Sequence, residues 1–168
     1  ELLTRAEETA LLTGFAGFDF TPFAFRGYLG RRRVTSFGER PDVARGAVQP
    51  STPIPALLLP VRDRAAAFAG MAAEDLQQVL VTEYAPGAPI GWHRDRPEFG
   101  KIVGVSLGSP CRFRLRRPKD TGWERRTLTL APRSAYLISG EARTDWEHSI
   151  PEVEALRYSI TFRTLRAR

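Results

Sequence analysis

Two short stretches hold both histidines of the 168-residue chain. The segment GWHRDRPEFG, residues 91–100, contains His93 and, two positions later, Asp95, while WEHSIP contains His148. Side chains two residues apart on a strand point the same way, so His93 and Asp95 can reach one metal ion, with His148 joining from another strand. Two imidazoles and one carboxylate on one face leave three positions of an octahedral iron(II) open. Each piece alone also fits an ordinary hydrogen-bonded surface pair, so the prediction depends on all three converging.

The segment LRYSITFR, residues 156–163, meets a further requirement of such a site. A non-haem iron oxygenase normally needs a 2-oxo acid as electron donor. A dicarboxylate of this kind needs a fixed cation, for which arginine offers a bidentate fork. On a strand, one polar face carries Arg157, Ser159, Thr161 and Arg163, and apolar side chains occupy the other face. A half-buried strand with solvent-facing arginines has the same pattern, but near a metal ligand we expect the polar face to point inward.

Length and composition bound the class of protein. The length predicts one domain, and 42% hydrophobic with 26% charged residues is ordinary for a soluble globular protein. No apolar run approaches the ~20 residues of a membrane-spanning helix, so no membrane association is predicted, and a monomer is assumed. The single cysteine, Cys111, excludes an internal disulfide and predicts a reducing, cytoplasmic setting. Because the chain starts at Glu1 and its only methionine is Met71, a targeting segment is left open.

The charge balance favours an anionic partner such as nucleic acid. The net charge is +6 and the isoelectric point about 10.2. All basic residues but two are arginines, which the coding bias of a GC-rich genome would also explain. Two arginine runs are candidates to grip backbone phosphates, although a solvated basic face is the commoner explanation for either. These runs are Arg31, Arg32 and Arg33, and the alternating Arg112, Arg114 and Arg116.

The order of elements predicts an α+β, mainly β protein. Helices are predicted at residues 4–12 and 61–70, with a helical turn in AAEDLQQ, and the rest of the first sixty residues is interpreted as short strands and loops. From residue 79 onward short strands alternate with turn signals: VLVTEY, KIVGVSLG, CRFRLRR, RRTLTLAP, RSAYLISG and LRYSITFRTL. Helices first and many short strands afterwards predict a β-sandwich or barrel core.

Taken together, these residues resemble a known family. The string HRD, a distal histidine and RYSITFR are similar to the signature of the AlkB-type Fe(II)- and 2-oxoglutarate-dependent dioxygenases, H-x-D, then H, then R-x-N-x-T-x-R. The segments EYAPGAPIGWH, SLGSPCRFRLRR and SGEAR extend the likeness, which is close over residues 76–166 and loose over the N-terminal third. The resemblance implies one domain at residues 1–168, with N-terminal helices, a substrate-covering region at residues 1–60 and a catalytic double-stranded β-helix (jelly-roll) core at residues 76–166.

The resemblance also implies a metal, two cosubstrates and a reaction. His93, Asp95 and His148 would bind Fe(II) as the catalytic residues, with 2-oxoglutarate and O2 as cosubstrates. The implied reaction is oxidative demethylation or dealkylation of alkylated nucleobases in DNA or RNA, a repair reaction that releases succinate, CO2 and formaldehyde. One alternative is the same chemistry on a protein side chain or small molecule. It stays open because Pro97 stands where the founding type carries a second aspartate that contacts the base. Another alternative is a non-catalytic nucleic-acid-binding domain.

Cosubstrate residues are likewise implied by position. Arg157 would pair with the distal carboxylate of 2-oxoglutarate, with the hydroxyl of Tyr84 donating to the same group. Arg163 would lie near the end that chelates the metal. Thr82 and Ser159 stand where the family usually has asparagine, and both can still hydrogen-bond. We therefore expect them to bind the cosubstrate with altered geometry.

Residues that would read a flipped base are harder to assign. Such a base is read by stacking and edge contacts. Phe37 in TSFGER is predicted to lie in a polar, glycine-flanked loop and is the preferred aromatic candidate. Trp92 and Trp146 fit core packing at least as well. Arg32 and Arg33 are candidates for contacts to the phosphates of the substrate.

Overall fold

The computed structural model describes residues 1–25, 28–42, 47–49 and 52–166, and this part of the chain is mainly β. Helices α1 (Arg5–Phe15), α2 (Leu59–Ala69) and the short α3 (Glu141–Thr144) are accompanied by 3-10 turns at Ala56–Leu58 and Ala73–Asp75. The strands are β1 (Thr21–Phe25), β2 (Tyr28–Gly38), β3 (Arg40–Asp42), β4 (Ala47–Gln49), β5 (Gln78–Tyr84), β6 (Ile90–His93), β7 (Phe99–Leu107), β8 (Cys111–Pro118), β9 (Trp123–Leu130), β10 (Ala135–Ile138), β11 (Glu147–Ile150) and β12 (Arg157–Leu165).

Two antiparallel sheets form the core. The larger sheet has the strand order β1-β2-β5-β12-β7-β10, and the smaller one has the order β6-β11-β8-β9. Strands β3 and β4 form a separate two-stranded ribbon. Side chains from both main sheets line a cavity of about 740 Å³. The predicted α+β, mainly β fold with a jelly-roll core is therefore confirmed, and each strand predicted after residue 79 is present with slightly shifted ends.

Strand β12 gives the larger sheet two different faces. Its apolar residues Ile160 and Phe162 are fully buried in a hydrophobic cluster that also contains residues of α1 and α2. Its polar residues Arg157, Ser159 and Thr161 are buried as well, but they line the cavity between the sheets. The prediction that this polar face points inward is confirmed.

Local signals explain where the helices begin and end. The side chain of Thr4 caps α1 by accepting the backbone N–H three residues further on. The helix continues beyond the predicted residue 12 because Phe15 is buried in the core cluster. Helix α2 has Pro60 in its first turn and ends at Gly70, whose φ of +70° suits glycine. Both predicted helices are confirmed, and AAEDLQQ forms only the 3-10 turn Ala73–Asp75. No helix in the described ranges is long and apolar enough to cross a membrane.

Strand β2 differs from what the sequence predicts for the first sixty residues. It is an 11-residue strand that pairs with β5 inside the larger sheet, not a set of short strands and loops. Residues Arg32, Val34 and Ser36 line the cavity, and the side chains between them point to the opposite face. The interpretation of Phe37 as a loop aromatic that reads a base is therefore wrong. Its ring packs against Phe18, with 5.1 Å between the ring centroids, in the hydrophobic cluster under the helices.

Candidate active site

The fold brings the two histidines and the aspartate of the sequence analysis together. His93 and His148 are directly opposite each other on the neighbouring strands β6 and β11, and Asp95 follows the end of β6. The Oδ1 atom of Asp95 lies 3.6 Å from Nε2 of His93 and 3.4 Å from Nε2 of His148. One donor atom from each residue lies within 4.8 Å of the other two. Two imidazole nitrogens and one carboxylate oxygen on a cavity wall match the donor set of non-haem iron(II) sites with open positions. These residues therefore fit an Fe(II) ion.

The surroundings orient both imidazoles as metal ligands. The Nδ1–H of His93 donates to the backbone carbonyl of Gly91 at 2.8 Å, which directs the Nε2 lone pair toward Asp95. The ring of His148 stacks on Phe113, with 5.3 Å between the centroids. Burial lowers the pKa of His148 below its ordinary value, which favours the neutral imidazole. The neutral form is the one that binds a metal.

Asp95 is held as an ionised carboxylate by Arg163. Burial alone would raise the pKa of Asp95, but the Arg163 guanidinium and the two histidines outweigh it and hold that pKa well below its usual range. Atoms Nε and Nη2 of Arg163 lie 2.9 and 2.8 Å from Oδ2 of Asp95. Nη1 of Arg163 donates to the side-chain oxygen of Gln78 at 3.1 Å, which fixes the guanidinium plane. Arg163 thus lies beside the candidate metal ligands.

Arg157 presents an unpaired fork inside the cavity. Its side chain is fully buried, and Nε donates to Oγ of Ser106 at 3.0 Å. Both terminal nitrogens are buried, and neither has a hydrogen-bond partner among the described residues. A buried cation without a hydrogen-bond acceptor is unfavourable, so the guanidinium group of Arg157 is suited to bind an anionic ligand. The Cζ atom of Arg157 lies 5.0 Å from the ring centroid of Tyr84, which lines the same cavity. The pair fits one carboxylate of a dicarboxylate such as 2-oxoglutarate.

Hydroxyl side chains occupy the wall between the two arginines of β12. Thr82 and Ser159 are directly paired across β5 and β12, and both are buried and line the cavity. Thr161, two residues further along β12, lines it as well. The placement is compatible with the cosubstrate role that the resemblance implies for Thr82 and Ser159, which stays a prediction.

The sequence analysis did not identify several residues of the site, among them Gln78 and Tyr136, which line the cavity, and Ser106, which accepts a hydrogen bond from Arg157. Extending the alternation of β5 backward from Tyr84 would have found Gln78. Ser106 depends on the pairing of β7 with β12, which no local pattern reveals. The ring of Tyr136 lies over Gly104, where a Cβ atom would come to 2.1 Å from it, so this close approach requires glycine. Burial raises the pKa of Tyr136, so its hydroxyl stays protonated.

The candidate substrate residues on β2 separate into two groups. Arg32 lines the cavity, with its Cζ atom 4.0 Å from the ring centroid of Phe23, an aromatic residue that the sequence analysis also missed. Burial lowers the pKa of Arg32. Arg33 instead pairs with Glu83, with 2.6 Å between Nη2 and Oε1. Because neighbouring side chains on a strand point to opposite faces, the assignment of Arg33 to the substrate side is wrong.

Both tryptophans near the candidate ligands lie against arginines. Trp92 lines the edge of the cavity, and the Cζ atom of Arg116 lies 4.4 Å from its ring centroid. The ring of Trp146 lies 4.8 Å from the Cζ atom of Arg117. These are cation–π contacts at half-buried positions, not the core packing considered for them. A base contact by Trp92 stays a prediction.

Comparison with known proteins identifies the class to which this fold and site belong. A family model described as the 2OG-Fe(II) oxygenase superfamily matches residues 32–163. The chain therefore belongs to this superfamily, whose cofactor is Fe(II) and whose cosubstrate is 2-oxoglutarate. The predicted resemblance is confirmed, because dioxygenases named AlkB or AlkB homologues are among the similar curated proteins.

The similarity to individual relatives is moderate. The "Alpha-ketoglutarate-dependent dioxygenase AlkB" of Salmonella typhimurium is 31% identical over 126 residues, which cover 68% of this chain and 57% of the relative. The "Alkylated DNA repair protein ALKBH8 homolog" of Arabidopsis thaliana is 31% identical over 119 residues, 58% of this chain and 34% of the relative. An uncharacterized protein of Acanthamoeba polyphaga mimivirus is 35% identical over 101 residues, 52% of this chain and 48% of the relative. The chain thus spans between about a third and just over half of these relatives.

Proposed function

We propose that this chain is an Fe(II)- and 2-oxoglutarate-dependent dioxygenase that oxidatively dealkylates alkylated nucleobases in DNA or RNA. The observation that carries the oxygenase chemistry is the presence, in one cavity, of the three candidate metal ligands and a buried, unpaired arginine fork. The first provides a place for the metal, and the second provides a place for a carboxylate of the cosubstrate.

When bound at these residues, Fe(II), 2-oxoglutarate and O2 would supply the oxidation: one oxygen atom of O2 would end in succinate as 2-oxoglutarate loses CO2, and the other would be inserted into a C–H bond of the substrate. On an N-methyl group this insertion gives a hydroxymethyl group. That group breaks down to formaldehyde and the unmodified N–H base. The balanced products are succinate, CO2, formaldehyde and the repaired base.

The residues of the chain bind, orient and exclude water. His93, Asp95 and His148 hold the metal, and Arg163 keeps Asp95 ionised by its paired contact. Arg157 takes the distal carboxylate of 2-oxoglutarate in its free fork, next to Tyr84. Apolar side chains that line the cavity, among them Phe113, Ile138 and Ile150, keep water from the reacting C–H bond. Holding that bond close to the metal is the main contribution of the protein.

A nucleic-acid substrate is supported by charge and by the relatives. Arginines line the cavity from the larger sheet, from β3 and from the segment after β6, among them Arg32, Arg40, Arg94 and Arg96. These cations suit the phosphates that flank a flipped base. Two of the relatives are named for alkylated DNA repair or for AlkB. The buried free thiol of Cys111 is compatible with the predicted cytoplasmic location, which stays a proposal, as does the monomeric state.

A panel of methylated substrates tests this function. The protein is incubated with Fe(II), ascorbate and 2-oxoglutarate, and offered single- and double-stranded oligonucleotides with N-methylated bases and peptides with N-methylated lysine or arginine. With at least one oligonucleotide we expect formaldehyde in an amount equal to the succinate formed above the level without substrate, because each demethylation produces one of each. The His148→Ala variant is the matched control and is expected to release neither.

Two other outcomes would replace the proposal. Formaldehyde from peptides but from no oligonucleotide would favour the same chemistry on a protein side chain, the alternative that Pro97 keeps open. Tight oligonucleotide binding without succinate, even in the uncoupled reaction, would identify a non-catalytic nucleic-acid-binding domain.

A further inference from the structure

A band of arginines and tryptophans covers the outer face of the smaller sheet. We call this band the outer arginine face, and it consists of Trp92, Arg112, Arg114, Arg116, Trp123 and Arg125. On β8, Arg114 and Arg116 pair directly with Ser149 and Glu147 of β11. Residues that pair directly point to the same side of a sheet, and His148 between them points into the cavity. Apart from Trp92, which also lines the edge of the cavity, the outer arginine face is therefore directed away from the metal ligands.

The two tryptophans hold the central arginine of this band between their rings. The Cζ atom of Arg116 lies 4.4 Å from the ring centroid of Trp92 and 4.0 Å from that of Trp123. Arg114 also lies over Trp92, at 5.2 Å. Such contacts order long side chains before any ligand arrives. Trp123 is nevertheless 41% exposed, so one of its ring faces is available to a partner.

The positive charge of the outer arginine face is largely uncompensated. Glu147 pairs with Arg116, with 3.0 Å between Nε and Oε1, and Arg114 donates to the hydroxyl of Ser149. Arg112 and Arg125 are exposed, and neither forms a salt bridge within the described part of the chain. A solvent-exposed sheet face needs no such concentration of cations, so this one is suited to a polyanion.

We propose that the outer arginine face binds a single-stranded nucleic acid along its phosphate backbone, at a surface separate from the catalytic cavity. Arginine forks match phosphates, and an exposed indole stacks on bases only when they are unpaired. The segment of β8 from Arg112 to Arg116 is roughly 13 Å long, about the length of four stacked nucleotides.

The band is also continuous with the rim of the cavity. Trp92 immediately precedes the candidate ligand His93, and Arg94, which follows the end of β6, lines the cavity. A single-stranded nucleic acid bound on the outer arginine face can therefore extend over Trp92 and Arg94 to the candidate metal ligands. That the bound nucleic acid is also the substrate of the enzyme rests on the proposed function. That the outer arginine face binds a nucleic acid does not depend on it.

Binding of a fluorescein-labelled single-stranded oligonucleotide, followed by fluorescence anisotropy at several salt concentrations, tests the proposal. The double variant Arg112→Glu/Arg125→Glu is compared with Arg5→Glu/Lys101→Glu, which changes exposed cations elsewhere. Each variant lowers the net charge from +6 to about +2. We expect the first to weaken binding at least tenfold and to lower the slope of log K against log salt by about 1.4, the value for two phosphate contacts. We expect the second to change binding less than about threefold.

Removal of the exposed ring provides a second variant. Trp123→Ala is expected to weaken single-strand binding by about 5- to 100-fold, the cost of one lost stacking contact, with little effect on a duplex. Uncoupled turnover of 2-oxoglutarate is expected to be unchanged in all of these variants, because none of the substituted residues lines the cavity.

Several outcomes would overturn the proposal. Equal losses in the two double variants would mean that only net charge matters. Equal or tighter binding of a duplex would exclude stacking on unpaired bases, and equal binding of poly-glutamate or of anionic lipid vesicles would exclude a nucleic-acid surface. A selective loss of single-strand binding in a protein without any 2-oxoglutarate turnover would leave this inference standing while the proposed function fails.

Discussion

Replacing Asp95 by alanine is expected to lower Fe(II) affinity more than about 100-fold and to abolish 2-oxoglutarate turnover. Asp95 is the only charged group among the three candidate ligands, and loss of even a residue that merely supports a ligand typically costs 10- to 100-fold. The substitution also takes the acidic partner from Arg163. We therefore expect the free energy of unfolding of the metal-free protein to fall by about 1–3 kcal/mol. Calorimetric titration with Fe(II) without oxygen and urea unfolding measure the two effects.

Two further variants separate metal binding from folding. Asp95→Asn keeps the size of the side chain and an acceptor oxygen for Arg163, but it removes the charge that attracts the metal. We expect it to fold like the unmodified protein and still to bind Fe(II) poorly. Asp63→Ala, at an exposed position of α2, is the matched control and is expected to change neither property. Undiminished Fe(II) affinity in both Asp95 variants would contradict the metal assignment.

Replacing Arg157 by lysine is expected to weaken 2-oxoglutarate binding by about 10- to 100-fold. Lysine keeps the charge but offers no planar fork, so one charge-assisted hydrogen bond to the carboxylate is lost. Such a bond contributes about 1.5–3 kcal/mol, which sets the size of the effect. Calorimetric titration of the Fe(II)-loaded protein with 2-oxoglutarate in the absence of oxygen measures it.

The matched control for this substitution is Arg33→Lys. Arg33 lies on the neighbouring part of the same sheet but pairs with Glu83 on the opposite face, so its replacement is expected to leave 2-oxoglutarate affinity unchanged. If Arg157→Lys bound the cosubstrate as tightly as the unmodified protein, the cosubstrate would have to lie elsewhere in the cavity.

The candidate ligands could be predicted because their chemistry is rare in this sequence. Because the chain has only two histidines, few combinations of side chains could bind a metal. His93 and Asp95 already have the H-x-D spacing that lets two residues of a strand reach one ion. The inward direction of Arg157 followed from a strand with one wholly apolar face, because such a face must be buried. In both cases a local pattern carried the necessary information.

The errors arose where both faces of a strand have mixed character. In β2, one face carries Arg32, Val34 and Ser36, and the other carries Arg33 and Phe37. The first face lines the cavity, and the second meets Glu83 and the core under the helices, so hydrophobicity alone does not distinguish the two faces. Without a distinct apolar face this segment lacks the pattern of a strand, so the sequence predicts Phe37 in a loop although it lies in β2.

Other features depend on which strands become neighbours. Ser106 meets Arg157 only because β7 pairs with β12, and Tyr136 reaches the cavity only because it pairs with Gly104. Likewise, the arginines of β8 were candidates for phosphate contacts from the sequence, but their arrangement between Trp92 and Trp123 required the order of the smaller sheet. Register between distant segments is a property of the whole fold and not of any local pattern.

Anomalous X-ray diffraction at the iron absorption edge tests the central claim most directly. Crystals would be grown without oxygen in the presence of Fe(II) and 2-oxoglutarate. We expect one strong iron peak within bonding distance of the Nε2 atoms of His93 and His148 and a carboxylate oxygen of Asp95, with a carboxylate of 2-oxoglutarate on the fork of Arg157. An iron peak at another location, or none at these three side chains, would contradict the account.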